Sequence, residues 1–96
     1  RAAPAGASAP ASRGARRAKL SYKERRALET LPGEIERLDA EIAALEAALA
    51  DPQRFTRDAA GATRDTERLA SRRAEKERLE QAWLELAVKA EDLGEG

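Results

Sequence analysis

Residues 28–55 read LETLPGEIERLDAEIAALEAALADPQRF, and the spacing of their large apolar residues decides the fold. Leu28, Leu31, Ile35, Leu38, Ile42, Leu45 and Leu49 follow one another at alternating gaps of three and four. That alternation averages about 3.5 residues, the period of a coiled-coil seam, and such a seam needs a second helix to cover it. Pro32 falls just after a seam position and leaves the phase intact. Its missing amide hydrogen and its ring, crowding the carbonyl of Leu28, predict a kink in this arm near Pro32.

The sequence around this stretch supplies the ends and the covering helix. Ser21 followed by Glu24 forms a possible capping box, which predicts a helix starting at Leu20 or Ser21. Asp51-Pro52 ends the first arm near Ala50, because a residue before proline avoids the helical region. Residues 51–60 then form a turn, with Phe55 as its only large apolar group. A return helix is expected over 60–93, stopped by Gly94. Its stripe reads Ala62, Asp65, Leu69, Arg72, Lys76, Leu79, Trp83, Leu86, Ala90 and Leu93. Asp65, Arg72 and Lys76 stand where apolar residues belong, which predicts looser packing toward the turn than around Trp83.

The fold class expected is therefore all-α, a two-stranded antiparallel coiled-coil hairpin over 20–93, its arms at 21–50 and 60–93. In that register Leu49 lies near Ala62, Ile42 near Leu69, Ile35 near Lys76 and Leu28 near Trp83. The acidic flanks Glu34, Asp39, Glu41 and Glu46 face Arg68 and Arg73, which favours this orientation. The short turn favours an intramolecular hairpin, hence a monomer, over a dimer.

Composition narrows the functional classes. The 96 residues hold one Trp, one Tyr and one Phe, 38% charged residues, and no Cys or His. Zinc, haem and iron–sulfur sites of the usual kind, a Cys nucleophile and a His general base are thereby excluded. No apolar run approaches the ~20 residues that span a bilayer. The first residue is Arg1, which leads us to expect a piece of a longer protein. The net charge of zero divides unevenly: residues 1–19 carry five cations and no acid, the rest 13 cations and 18 acids. Residues 1–19 also lack any large apolar side chain and read as a disordered basic linker.

Residues 19–55, KLSYKERRALETLPGEIERLDAEIAALEAALADPQRF, resemble the C-terminal domain of ABC-F ATPases of the Uup type. The likeness rests on the K-L-S-Y-K start, on Leu31-Pro32 opening the heptad, and on the Asp51-Pro52 turn before Phe55. It extends more weakly through Leu79–Leu86, and the polar seam at Arg72 and Lys76 departs from it. The resemblance implies a cytoplasmic parent protein with two ATP-binding cassettes, using ATP and magnesium, and no membrane domain. It also implies a hairpin associated with DNA binding, in a wider family that acts on ribosomes. No phosphate-cradling G-x-x-x-x-G-K-[ST] loop occurs here, so no ATP hydrolysis and no cofactor are expected of this chain.

Two sets of cations are candidates for phosphate contacts. The first is Arg13, Arg16, Arg17, Lys19, Lys23, Arg25 and Arg26, dense enough to bind a polyanion by counterion release. Its bland alternative is a solvated linker, and with the resemblance nucleic acid is the favoured reading. The second is Arg64, Arg68 and Arg72, continued by Lys76, each four residues apart and so on one helix face, about 6 Å between neighbours. There the bland reading is favoured: Arg68 and Arg73 pair with the first arm, while Arg72 and Lys76 lay their stems over the seam. Trp83 is expected to pack against Leu28 and Pro32 at the hairpin base, with Tyr22 capping the same cluster, rather than either aromatic stacking on bases. DNA is the expected partner, with ribosomal RNA or the ribosome as the alternative. An arm that spaces the cassettes without touching nucleic acid is the competing function.

Overall fold

The computed structural model describes residues 19–94, so the linker expectation for 1–18 lies outside the described residues. Helix α1 spans Tyr22–Leu49, a short α2 spans Arg54–Arg57, and α3 spans Ala59–Asp92. Helices α1 and α3 pack on one another along the hairpin, and α2 packs on the start of α3. Among the described residues there is no strand. The all-α antiparallel hairpin read from the heptad is the fold observed.

The capping box forms as its sequence prescribes. Ser21 Oγ accepts from the Glu24 amide at 3.0 Å, and Glu24 Oε1 accepts from the Ser21 amide at 3.0 Å. Two of the amides that a helix start leaves without partners are thus satisfied reciprocally. Helix α1 then runs through Pro32 as one continuous helix. Proline donates nothing to the Leu28 carbonyl; burial of the neighbouring Leu31, against a half-buried Leu28 and Ile35, holds the helix together there. The exposed Pro32 ring lies on the outside.

The turn is more structured than expected. Asp51 Oδ1 accepts from the Gln53 amide at 2.9 Å, and Asp51 Oδ2 takes the Arg57 guanidinium at 2.6 Å. This local bonding, an Asx turn in form, lets α2 make one helical turn inside the expected loop. Asp58 then caps α3, its Oδ1 accepting from the Gly61 amide at 3.0 Å. A Cβ at Gly61 would sit 2.2 Å from Asp58 Oδ2, so a side chain there would push the capping carboxylate aside.

The seam is a single file of side chains, with Leu31, Leu38 and Ile42 of α1 and Ala62, Leu69 and Ala90 of α3 buried. Its polar positions are neutralised rather than loose. Arg54 reaches from α2 to Asp65 at 2.7 Å. Arg72 binds Glu41 and Glu75, and Lys76 binds Asp39. Burial is spread along the hairpin: Ala62 is fully buried near the turn and Leu31 and Ala90 are buried toward the base, whereas Trp83 remains 37% exposed. Two helices without a third layer enclose only a narrow line, too thin for an indole. The half-buried Ala82 takes the inner side, and Trp83 lies on the flank with Pro32 and Ile35.

The packing expected of Tyr22 is corrected. Tyr22 is 80% exposed, and Leu20 is buried in its place. With Ser21 fixed as the cap, Leu20 turns inward before the helix, while Tyr22, the first helical residue, faces solvent.

Candidate nucleic-acid interface

The candidate cations separate into two groups with different surroundings. Arg13, Arg16 and Arg17 lie outside the described residues. Lys19, Lys23, Arg25 and Arg26 gather where the chain enters α1, and all four are exposed. Lys19 and Lys23 make no ion pair within 4 Å among the described residues. Arg25 Nη2 donates to the Leu20 carbonyl at 3.2 Å, a bond that steadies the entry into the helix. Arg26 faces Glu29 at 3.6 Å with both side chains 63% exposed. A pair so wet and so long neutralises little.

Three cations in the first turns of α1 oppose the helix macrodipole, whose amino end favours anions. The dipole gives no reason for Lys23 or Arg26 to stand there, whereas Arg25 is tied to the Leu20 carbonyl. Only Glu24 in this turn suits the dipole, and it also accepts Lys89 Nζ of α3 at 2.5 Å. That bond, helped by the Ser21 amide, holds the Glu24 carboxyl below the usual glutamate range. The hairpin base is thus closed by an anion facing inward, with the cations left facing out.

The α3 ridge is arranged the opposite way. Arg68 Nε and Arg72 Nε both donate to Glu41 Oε2 at 3.0 Å. Arg73 is bound to Glu46 and Lys76 to Asp39, each at 2.5 Å. Hydrogen bonds from Arg68 and then Arg72 hold the Glu41 carboxyl below its ordinary range, and the bond to Asp39 raises Lys76 above the usual lysine value. The pairing of Arg68 and Arg73 with the acidic flanks of the first arm is therefore observed. Of the ridge, Arg64 alone makes no ion pair within 4 Å among the described residues.

The two groups are also far apart. Glu41, which marks the height of Arg68 and Arg72, lies 18 residues along α1 from Lys23, roughly 27 Å at helical rise. Lys19, Lys23, Arg25 and Arg26 share the entry to α1, with Lys23 and Arg25 about 160° apart around its axis, and Arg64, Arg68 and Arg72 form a separate, largely neutralised set. Sequence reasoning passed over Arg37 and Arg78. Both are exposed and make no ion pair within 4 Å among the described residues. Each has an acid at helical spacing, which conceals them in the sequence. Those acids, Glu41 and Glu75, are already bound by Arg72.

Chemically, the grooves that described residues line between the helices are open ones, unlike an enclosed cavity that would desolvate a reacting group. Among the described residues no group of His, Cys, Asp or Glu is placed to hold a metal ion. No described helix is long and apolar enough to cross a membrane. What the base offers is positive charge exposed to solvent. Residues 19–87 match the model of the ABC transporter C-terminal domain, a span that starts at the first cation of this patch. No curated protein and no solved structure matches the chain.

Proposed function

The chain belongs to the ABC transporter C-terminal domain family, and on that premise we propose that it is a non-catalytic nucleic-acid-binding arm of a parent ATPase. The KLSYK start and the Leu31-Pro32 heptad favour the Uup type of ABC-F protein as that parent. Such a parent is cytoplasmic, and its own cassettes bind ATP and magnesium. The arm works as a monomeric hairpin that holds duplex DNA by its phosphates. Lys19, Lys23, Arg25 and Arg26 make the contacts, joined by Arg13, Arg16 and Arg17 on grounds of charge alone.

One observation carries this reading: the base cations stay exposed on a helix end that electrostatics would reserve for anions. The ridge cations Arg68 and Arg72 hold the hairpin together, and Arg64 adds at most a peripheral contact. A salt titration of duplex DNA binding tests the proposal, because phosphate contacts make log Kobs fall linearly with log salt. A steep fall supports it; affinity that ignores salt, or no affinity, contradicts it.

A second reading has an observation of its own. Arg72, Arg73 and Lys76 are spent on cross-hairpin pairs, as suits a stiff arm that spaces the cassettes, on the ribosome or elsewhere. Ribosomes and an RNA helix titrated beside the DNA duplex separate the two. Equal indifference to all three favours the spacer.

A further inference from the structure

We infer that the flank of the hairpin around Trp83 and Leu84 docks a cationic amphipathic helix of a partner protein. Pro32 and Ile35 of α1 and Trp83 and Leu84 of α3 line an open groove of 460 Å³, with Glu36 and Glu80 at its edge. Leu84 is 50% exposed and Val88, one turn on, is 47% exposed. On α3, Glu77, Glu80, Leu84, Val88 and Glu91 succeed one another at gaps of three or four and so share one face. Two apolar residues stand at its centre and carboxylates at both ends.

The charges select the occupant. Glu36 and Glu77 make no ion pair within 4 Å among the described residues, and the cation nearest Glu80 is Lys76, at 3.8 Å. Phosphates are repelled from such a rim. Residues 1–18 of this chain bring cations but no large apolar side chain to fill the groove. A second copy seated on the same face would set one acidic rim against another. A helix with leucines four apart, flanked by lysines, matches both the apolar spacing and the charge. This face is separate from the cationic base and serves a different partner.

Trp83 is the chain's one tryptophan and reports directly on the groove. The probe is a tryptophan-free Leu/Lys amphipathic peptide of roughly 18 residues, long enough to form a helix, with the matching Leu/Glu peptide as control. The Leu/Lys peptide is expected to shift Trp83 emission to the blue, saturably, and the Leu/Glu peptide to leave it unchanged. The double variant Leu84→Ser, Val88→Ser is expected to weaken binding by about tenfold or more, given two truncated apolar anchors. Glu36→Lys with Glu80→Lys is expected to weaken it without touching those anchors. Unchanged emission overturns the inference. Equal affinity in the serine variant overturns it too, since general electrostatics then suffices. A dimer in sedimentation that Leu84→Ser abolishes assigns the face to a second copy instead.

Discussion

Glu41 of α1 receives both Arg68 and Arg72 of α3 on one carboxylate oxygen, each at 3.0 Å. This fork ties two successive turns of α3 to one point of α1 and fixes how far the arms have slid past each other. It also explains why Arg72 occupies a seam position: its guanidinium reaches sideways to a carboxylate while its stem covers the apolar file. Glu41→Gln is expected to lower the melting temperature at low salt, with the difference from wild type shrinking as salt rises. Thermal melts at two ionic strengths check this; a difference that persists undiminished at high salt refutes the electrostatic account.

The apolar file should answer to truncation as a core does. Leu38 and Ile42 are each 8% exposed against α3. Leu38→Ala or Ile42→Ala is expected to cost about 2–5 kcal/mol in denaturant unfolding. Arg37→Ala, on the exposed side of the same helix, is expected to be nearly silent.

Two glycines inside helices should behave in opposite ways. A Cβ at Gly33 would meet nothing within 4 Å, so Gly33→Ala is expected to stabilise by about 1 kcal/mol through helix propensity alone. At Gly61 the same methyl would displace the Asp58 carboxylate that caps α3. Gly61→Ala therefore trades that propensity gain for a cap worth about 0.5–2 kcal/mol, and is expected to be neutral to destabilising. A Gly61→Ala variant as stabilised as Gly33→Ala would show that the cap is dispensable.

Acid should weaken the hairpin from both ends. Glu24 is held below the ordinary carboxylate value by Lys89, Glu41 by Arg68, Asp51 by the Gln53 amide and Asp58 by the Gly61 amide. A carboxyl lower in the folded state gives stability that is complete above its unfolded value and lost as pH falls through the folded one. Stability is thus expected to decline below about pH 5, as pH enters the carboxylate range. Lys76, raised by Asp39, works the other way: its contribution is present below the ordinary lysine value and lost as pH climbs through the raised one. Urea midpoints across pH check both limbs, and a flat profile between pH 5 and pH 3 (about the carboxylate range) contradicts the first.

The hairpin was legible because both arms repeat at a fixed period and Asp51-Pro52 marks where one stops. The capping box was legible because Ser21 and Glu24 suffice for it. What the sequence hid depends on cross-chain geometry. Trp83 occupies a plausible heptad position, and only the thinness of a two-helix seam puts it on the flank. Asp65 read as a defect because its partner, Arg54, comes from a helical turn inside the loop. For the candidate site, the heptad register already set Arg68 and Arg73 against the acidic flanks of the first arm and so apart from Lys23. What it did not show is that Arg72 joins Arg68 on Glu41, 27 residues before Arg68.

The account rests on the exposed cations at the hairpin base, and the most direct test is the salt slope of duplex DNA binding in the triple variant Lys23→Gln, Arg25→Gln, Arg26→Gln. Circular dichroism checks that helicity is retained; of the three side chains Arg25 also bonds the backbone, at the Leu20 carbonyl. With log Kobs plotted against log salt, each lost phosphate contact flattens the slope by about 0.9. The account predicts weaker binding and a slope flatter by up to about 2.7. A triple variant that binds DNA with the affinity and slope of the wild type contradicts it.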